Sequence, residues 1–185
     1  MHRQPALALL AAHAATPLAP DEAAMTAAAV AFAHAHPDCL LRTCLTGHLT
    51  GSAWVVDATR RWTLLTHHRK LDRWLQPDGH ADGGPDLLAV ALSEAREESG
   101  LHAVAPLSPA LFDVDRHWIP ERPGEPGHWH HDLRFLLLAD RAAPLVVSSE
   151  SNDLAWVRLT DVTRLDPESS LARMVRKTLD SIKVL

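Results

Sequence analysis

Three carboxylates crowd one short run of this chain, Ser93-Glu94-Ala95-Arg96-Glu97-Glu98-Ser99-Gly100-Leu101. If the run is helical, at about 100° per residue Glu94, Glu97 and Glu98 fall within an arc of roughly 100° on one face. Three hard oxygen donors then converge on one point, which is a donor set for Mg²⁺ or Mn²⁺. Such ions take octahedral oxygen coordination and keep positions open for water and phosphate oxygens, so a bound diphosphate becomes a better electrophile. An isolated Glu-x-x-Glu-Glu is more often a solvated acidic face, so the flanking sequence has to decide.

The flanks read as a loop, a helix and a stop. Pro77-Asp78-Gly79 and Gly83-Gly84 allow tight turns. Pro85 suits a first helical position, Asp86 is favourable beside the positive helix end, and Gly100 is placed to end the helix. The spacing predicts a helix from about Pro85 to Ser99. Its Leu87, Leu88, Ala91, Leu92 and Ala95 give the i, i+3, i+4 stripe of a buried face, and the Glu residues point elsewhere.

Gly79, Glu94, Ala95, Glu97, Glu98, Gly100 and Leu101 keep the register Gly, five residues, Glu, seven residues, Arg-Glu-apolar-any-Glu-Glu-any-Gly-apolar. The stretch resembles a Nudix box with two departures, Pro85 in place of the first Glu and Ser93 in place of the Arg. The resemblance extends over most of the chain from about Gly47. Gly47 to Asp57 and Trp62 to His68 look like the paired strands before such a box, and Lys70 to His80 is similar to a Trp-x-x-Pro-Gly-Gly lead-in. Asp78 stands there where Gly is usual, and Asp tolerates positive φ.

The resemblance implies an α/β fold, a Nudix-type α/β/α sandwich with a mixed sheet, carried by residues 41–185 behind an N-terminal helical extension at 1–40. It implies a divalent-metal-dependent hydrolase, using Mg²⁺ or Mn²⁺, that cleaves a diphosphate linkage in a nucleoside diphosphate-X type substrate. Glu94, Glu97 and Glu98 would hold the metal, with Glu97 and Glu98 catalytic. Glu150, in Ser148-Ser149-Glu150-Ser151, is the candidate for orienting or deprotonating the attacking water. In the family the first Glu and the Arg of the box are thought to pair and brace the loop. Here both are missing together, which leaves no unpaired charge, and Pro85 supplies stiffness through its fixed φ.

The same two departures would also suit a catalytically inactive nucleotide sensor. A Nudix-fold isoprenoid diphosphate isomerase is a third class, requiring a catalytic Cys and Glu beside a His-ligated metal. Cys39 and Cys44 precede the expected core strands, which weighs against it.

Histidine is over-represented, with 13 residues. On a strand, His128, His130, Asp132 and Arg134 alternate onto one face, a polar row that could bind a metal or a substrate phosphate, or else face solvent. His80 neighbours the metal loop. With the resemblance, His80, His128, His130 and Arg134 are the expected substrate-binding residues. Trp118, Trp129 and Trp156 could stack on a base, with burial in the core as the default for each.

The remaining pattern is that of a folded α/β chain. The 185 residues are 46% hydrophobic and 22% charged, enough for a sizeable core. A net charge of -5 and a pI near 6.2 argue against a nucleic-acid polymer or an anionic membrane as partner, leaving a small diphosphate substrate and, as an open option, a homodimer. Two cysteines fit a reducing cytoplasm. The apolar run Ala6 to Ala12 is too short for a signal peptide core and is interrupted by His13. Alanine-rich stretches on either side of Pro17 to Pro20 read as two helices, the second from about Asp21 to His36 with Asp21 as cap. After the box, strands are expected at Leu111 to Ile119, Trp129 to Ala139 and Leu154 to Leu159, with a loop at Pro120 to Gly127. A terminal helix starting at Asp166-Pro167 follows.

Overall fold

Alanine and proline set the first elements: α1 (Gln4–Ala14) and α2 (Pro20–Ala35) each carry a proline in the first helical turn, where its missing N–H costs nothing. A computed structural model describes residues 2–149, 151–167 and 169–182. After the helices come β1 (Gly47–Val56), β2 (Trp62–His68), β3 (Arg73–Leu75), β4 (Asp78–His80), α3 (Leu87–Ser99), β5 (Val104–Pro106), β6 (Asp113–Ile119), β7 (His128–Ala139), β8 (Ser151–Arg158), α4 (Val162–Leu165) and α5 (Ser169–Ile182). Hydrogen bonding follows the order β3-β2-β1-β7-β5, with β4 on β1, β6 on β7 and β8 on β2. The chain forms two compact units, residues 1–52, 78–91 and 108–135 in one and residues 53–77, 92–107 and 136–185 in the other. Among the described residues no helix is long and apolar enough to cross a membrane.

In the first unit, α1 and α2 are joined by a buried contact, His13 Nε2 to Glu22 Oε1 at 2.8 Å. Helix α2 packs on β6, and its Phe32 stacks on His131 with ring centroids 4.3 Å apart. Antiparallel pairing of β6 with β7 runs from Asp113↔Arg134 to Ile119↔His128. Because side chains alternate along a strand, His131 faces α2 while His128, His130, Asp132 and Arg134 share the opposite face. That row was open to solvent or to a ligand in the sequence; the structure buries all four residues. Arg134 Nε donates to Asp132 at 2.7 Å, and its two terminal nitrogens donate to Asp113 and Asp115 at 3.3 Å each. Thr50 Oγ1 donates to Asp132 at 3.0 Å, and Ser52 Oγ donates to the same carboxylate oxygen. Burial works against the charge on Arg134, but the three carboxylates outweigh it and hold the guanidinium protonated.

The start of α3 also lies in this unit, and it corrects the expected boundary. Pro85 lies before the helix and not at its first position: Asp86 caps it, its Oδ1 accepting from the Ala89 amide at 3.0 Å, and the helix begins at Leu87. A side chain at Gly51 of β1 would come within 2.7 Å of the Leu87 carbonyl, so glycine permits this close approach of strand and helix. Asp78 is an ordinary strand residue paired with Ser52, and Asp82 takes the positive φ instead. At the other helix, Asp21 lies in the first turn of α2 behind the N-cap Ala19 and does not cap it.

The second unit is organised around β2, which pairs antiparallel with β8 from Trp62↔Arg158 to His68↔Ser151 and with β3 on its other side. Trp54 is fully buried and its indole N–H donates to Thr178 Oγ1 of α5 at 2.9 Å, so the large ring contributes apolar burial without an orphaned donor. Leu171, Met174 and Val175 of α5 are buried as their spacing implied. Helix α5 starts at Ser169, later than expected, and Asp166 instead grips Arg73 through two bonds of 2.6 and 2.8 Å. Gly100 ends α3 at φ +71, where its amide bonds the Arg96 carbonyl at 2.8 Å.

Two stability outcomes follow from these contacts. A Cβ at Gly100 would sit 2.7 Å from Val146 Cβ. Gly100→Ala should therefore lower unfolding free energy by about 1–3 kcal/mol, read as a shift in the urea midpoint; an unshifted midpoint contradicts the cap. Arg134→Met removes the cation and leaves buried carboxylates facing one another. A loss of about 3–5 kcal/mol, or failure to fold, is expected. If instead Arg134→Met keeps wild-type stability and alters only KM, the guanidinium serves substrate and not the fold.

Candidate functional site

The carboxylate face sits in the last two turns of α3, within the second unit. Leu87, Ala91 and Ala95 form the buried stripe; Glu94 and Glu98 lie along its edge and are half-buried, while Glu97 points away from it to solvent. Ser93, standing where the box pattern has Arg, donates from Oγ to Glu97 Oε1 at 2.6 Å. The substitution thus gives Glu97 a neutral partner one turn back. Arg96 reaches the Val104 carbonyl at 3.3 Å. All three carboxylates lie near the negative end of the helix dipole, an arrangement that disfavours anions and that a bound cation would offset.

A second constellation gathers in the first unit. His48 of β1 and His128 and His130 of β7 point their Nε2 atoms at one another: His48 to His130 is 3.1 Å and His128 to His130 is 3.2 Å. His80 of β4 packs beside them, with ring centroids 4.8 Å from His48 and 5.0 Å from His130. His117 of β6 lies edge-on to His130 at 5.3 Å. Burial lowers His48 and His80 to about 4 and pushes His130 down further, so these rings are neutral at neutral pH. Glu125 Oε1 stands 3.8 Å from His128 Nε2.

Of the expected substrate-binding residues, His80, His128 and His130 are thus brought together. Arg134 is not available to a phosphate, because it is buried among Asp113, Asp115 and Asp132. Glu150 lies outside the described residues. Among the tryptophans, Trp118 departs from its default: it is 51% exposed and meets Trp129 edge-on at 5.2 Å, while Arg116 covers the Trp129 ring at 3.7 Å. Cys39 and Cys44 are free buried thiols, and burial pushes both above the ordinary thiol range, which disfavours a nucleophilic thiolate.

Sequence reasoning missed His48 and His117. The signal for His48 was present, since His48, Thr50 and Ser52 alternate along β1 as His128, His130 and Asp132 do along β7. Two polar rows on buried strands must face each other, or each must find other partners. His117 needed the β6–β7 register, in which it stands opposite His130.

The family model described as the NUDIX domain matches residues 48–178. No curated protein matches the chain in sequence. Among solved structures, the chain is similar to a Caenorhabditis elegans Ap4A hydrolase binary complex, with a TM-score of 0.60 at 17% identity over 74% of this chain and 98% of that one. A NUDIX-family hydrolase from Clostridium perfringens gives a TM-score of 0.55 at 22% identity, covering 72% and 97%. The NUDIX domain of Shewanella oneidensis NrtR, complexed with ADP ribose, gives 0.52 at 15% identity, covering 72% and 87%. These neighbours share the mixed sheet with flanking helices. A family model spanning most of the chain, together with this fold and the Gly79 to Leu101 motif, establishes that the chain belongs to the Nudix family.

Proposed function

We propose that the chain is a divalent-metal-dependent pyrophosphohydrolase acting on a nucleoside diphosphate-X type substrate. The observation that carries this is the face of α3: Glu94, Glu97 and Glu98 share an arc of about 100° that begins at the edge of the buried Leu87-Ala91-Ala95 stripe and ends in solvent at Glu97, in a chain of the Nudix family. The donors fit Mg²⁺ or Mn²⁺, since all are carboxylate oxygens and the site lies at a helix end that disfavours uncompensated negative charge. When bound, the ion supplies positive charge to the substrate's diphosphate oxygens.

The protein's own part is positioning. Ser93 restricts the rotamer of Glu97, the Asp86 cap and the Gly100 stop fix the length of the helix, and the buried Leu87-Ala91-Ala95 stripe fixes its rotation. Glu97 and Glu98 are the catalytic carboxylates in this reading, and Glu150 orients or deprotonates the attacking water. Residues 41–185 form the catalytic domain and residues 1–40 its helical extension, working in the cytoplasm on a small molecule, alone or as a homodimer. The Ap4A hydrolase and the ADP-ribose complex among the similar structures support a substrate with a nucleoside linked through phosphates.

The loss of the box ion pair keeps the sensor reading alive, and the Ser93 to Glu97 bond weighs against it, because it preserves a defined geometry at a metal carboxylate. Incubating the protein with nucleoside diphosphate-X compounds and dinucleoside polyphosphates, with Mg²⁺ or Mn²⁺, separates the two: phosphate-containing products mean hydrolase, and saturable binding without turnover means sensor. Glu97→Gln and Glu98→Gln should each lower kcat by on the order of a hundredfold or more, with the melting temperature nearly unchanged. Near-normal rates in both would remove the assignment. Ser93→Ala should cost less, about fivefold in kcat/KM for one lost hydrogen bond, again without loss of stability. An unchanged kcat/KM in Ser93→Ala would mean that the bond to Glu97 plays no part in turnover.

A further inference from the structure

We propose that His48, His128 and His130 form a metal site for Zn²⁺, separate in its residues from the carboxylates of α3. Three imidazoles are a borderline-soft nitrogen set, the kind that takes Zn²⁺ and its transition-metal neighbours in preference to Mg²⁺. Their geometry suits one ion. Metal–nitrogen bonds of about 2.0–2.1 Å in a tetrahedral site put ligand nitrogens about 3.3–3.4 Å apart. The Nε2 pairs here are 3.1 and 3.2 Å, and the three ligand atoms all lie within 4.8 Å of one another.

Hydrogen-bond accounting points the same way. The Pro126 carbonyl can only accept, so His128 Nδ1, 2.9 Å away, carries the proton and its Nε2 presents a lone pair to the cluster. That bond fixes the tautomer of a ligand from outside, as metal-binding histidines commonly require. Two further Nε2 atoms aim at the same spot. One proton on His130 Nε2 is the most that can be shared across both short contacts, and His48 Nδ1 and His130 Nδ1, buried without a protein partner, would carry the ring protons when Nε2 ligates. A cation accepts three lone pairs at once.

The site is also rigidly built. His128 and His130 are two residues apart on β7, His48 projects from β1, and all three are buried. Three protein ligands leave a fourth position for water or an anionic oxygen, as in zinc sites that bind or activate a ligand. Glu125, half-exposed, stands 3.8 Å from His128 Nε2. A second grouping, His36, Asp38 and Cys44, is the competing location within the same unit.

The test uses the full chain, stripped with a chelator and titrated with Co²⁺ in the presence of excess Mg²⁺. Expected is one equivalent of Co²⁺ with visible d–d absorption of a four- or five-coordinate nitrogen site, bleached by Zn²⁺ and not by Mg²⁺. His48→Ala, His128→Gln and His130→Ala should each weaken Co²⁺ binding by about a hundredfold or abolish it. Circular dichroism identifies which variants remain folded, and His128→Gln at the end of β7 is the one expected to be least disruptive. Cys44→Ser and Glu97→Gln should leave the band and the stoichiometry intact. No Co²⁺ band in the wild type, or a band lost in Cys44→Ser or Glu97→Gln while the folded histidine variants retain it, overturns the proposal. Because the readout is metal binding, its failure leaves hydrolysis untouched, and absence of turnover with a retained Co²⁺ band would sink only the hydrolase assignment.

Discussion

Burying the polar face of β7 is the constraint on which the first unit depends. A strand carrying His128, His130, Asp132 and Arg134 on one side can enter a protein interior only if each group finds a partner there, since an unpaired buried charge costs several kcal/mol. The neighbouring strands are composed accordingly. Thr50 and Ser52 of β1 supply hydroxyl donors to Asp132, and Asp113 and Asp115 of β6 supply acceptors to Arg134. This network fixes the register of β6 against β7, because a one-residue slip would turn every one of these side chains to the other face. The placement of His117 opposite His130 follows from that register.

The second unit rests on a different economy. Its fully buried residues include Trp54, Leu64 and Leu65, and its polar contacts include Trp54 to Thr178 and Arg73 to Asp166. Helix α3 draws on both regimes: its first turn is capped by Asp86 against β1 at Gly51, and its last turn is closed by Gly100 beside Val146. A helix with a defined start and stop presents its carboxylates at fixed angles to one another. That matters for hard metal ions, which demand near-ideal geometry from their oxygen ligands.

What was legible in the sequence tracks how local the determining physics is. Helix α3 and its acidic face could be read directly, since a cap, a 3.6-residue stripe and a terminal Gly all act within one segment. The long strands β1, β2 and β7 were visible for the same reason. The three-residue strands β3, β4 and β5 were not, because each exists through its partner and has too few residues for a period of its own. The β7 row was recognised as a face, yet alternation alone is the same for a solvated and a buried strand. Its burial depends on partners from β1 and β6, which the alternation within β7 does not reveal. Arg134 was accordingly assigned to substrate, whereas three carboxylates claim it, two of them on β6.

The two donor sets divide metal chemistry by hardness. Carboxylates at a solvent-facing helix end bind ions that keep much of their water, so their occupancy follows bulk Mg²⁺ or Mn²⁺ and exchanges readily. Imidazoles on buried strands favour ions farther along the series of increasing nitrogen affinity, which bind at far lower concentration. A protein carrying both sets is sensitive to its metal history in a way that a carboxylate site alone is not. If the histidines hold Zn²⁺ as proposed, Zn²⁺ or Ni²⁺ met during handling would be captured there without competing for the helix. Rates measured in excess Mg²⁺ could therefore differ between preparations that are identical in sequence, fold and Mg²⁺ content.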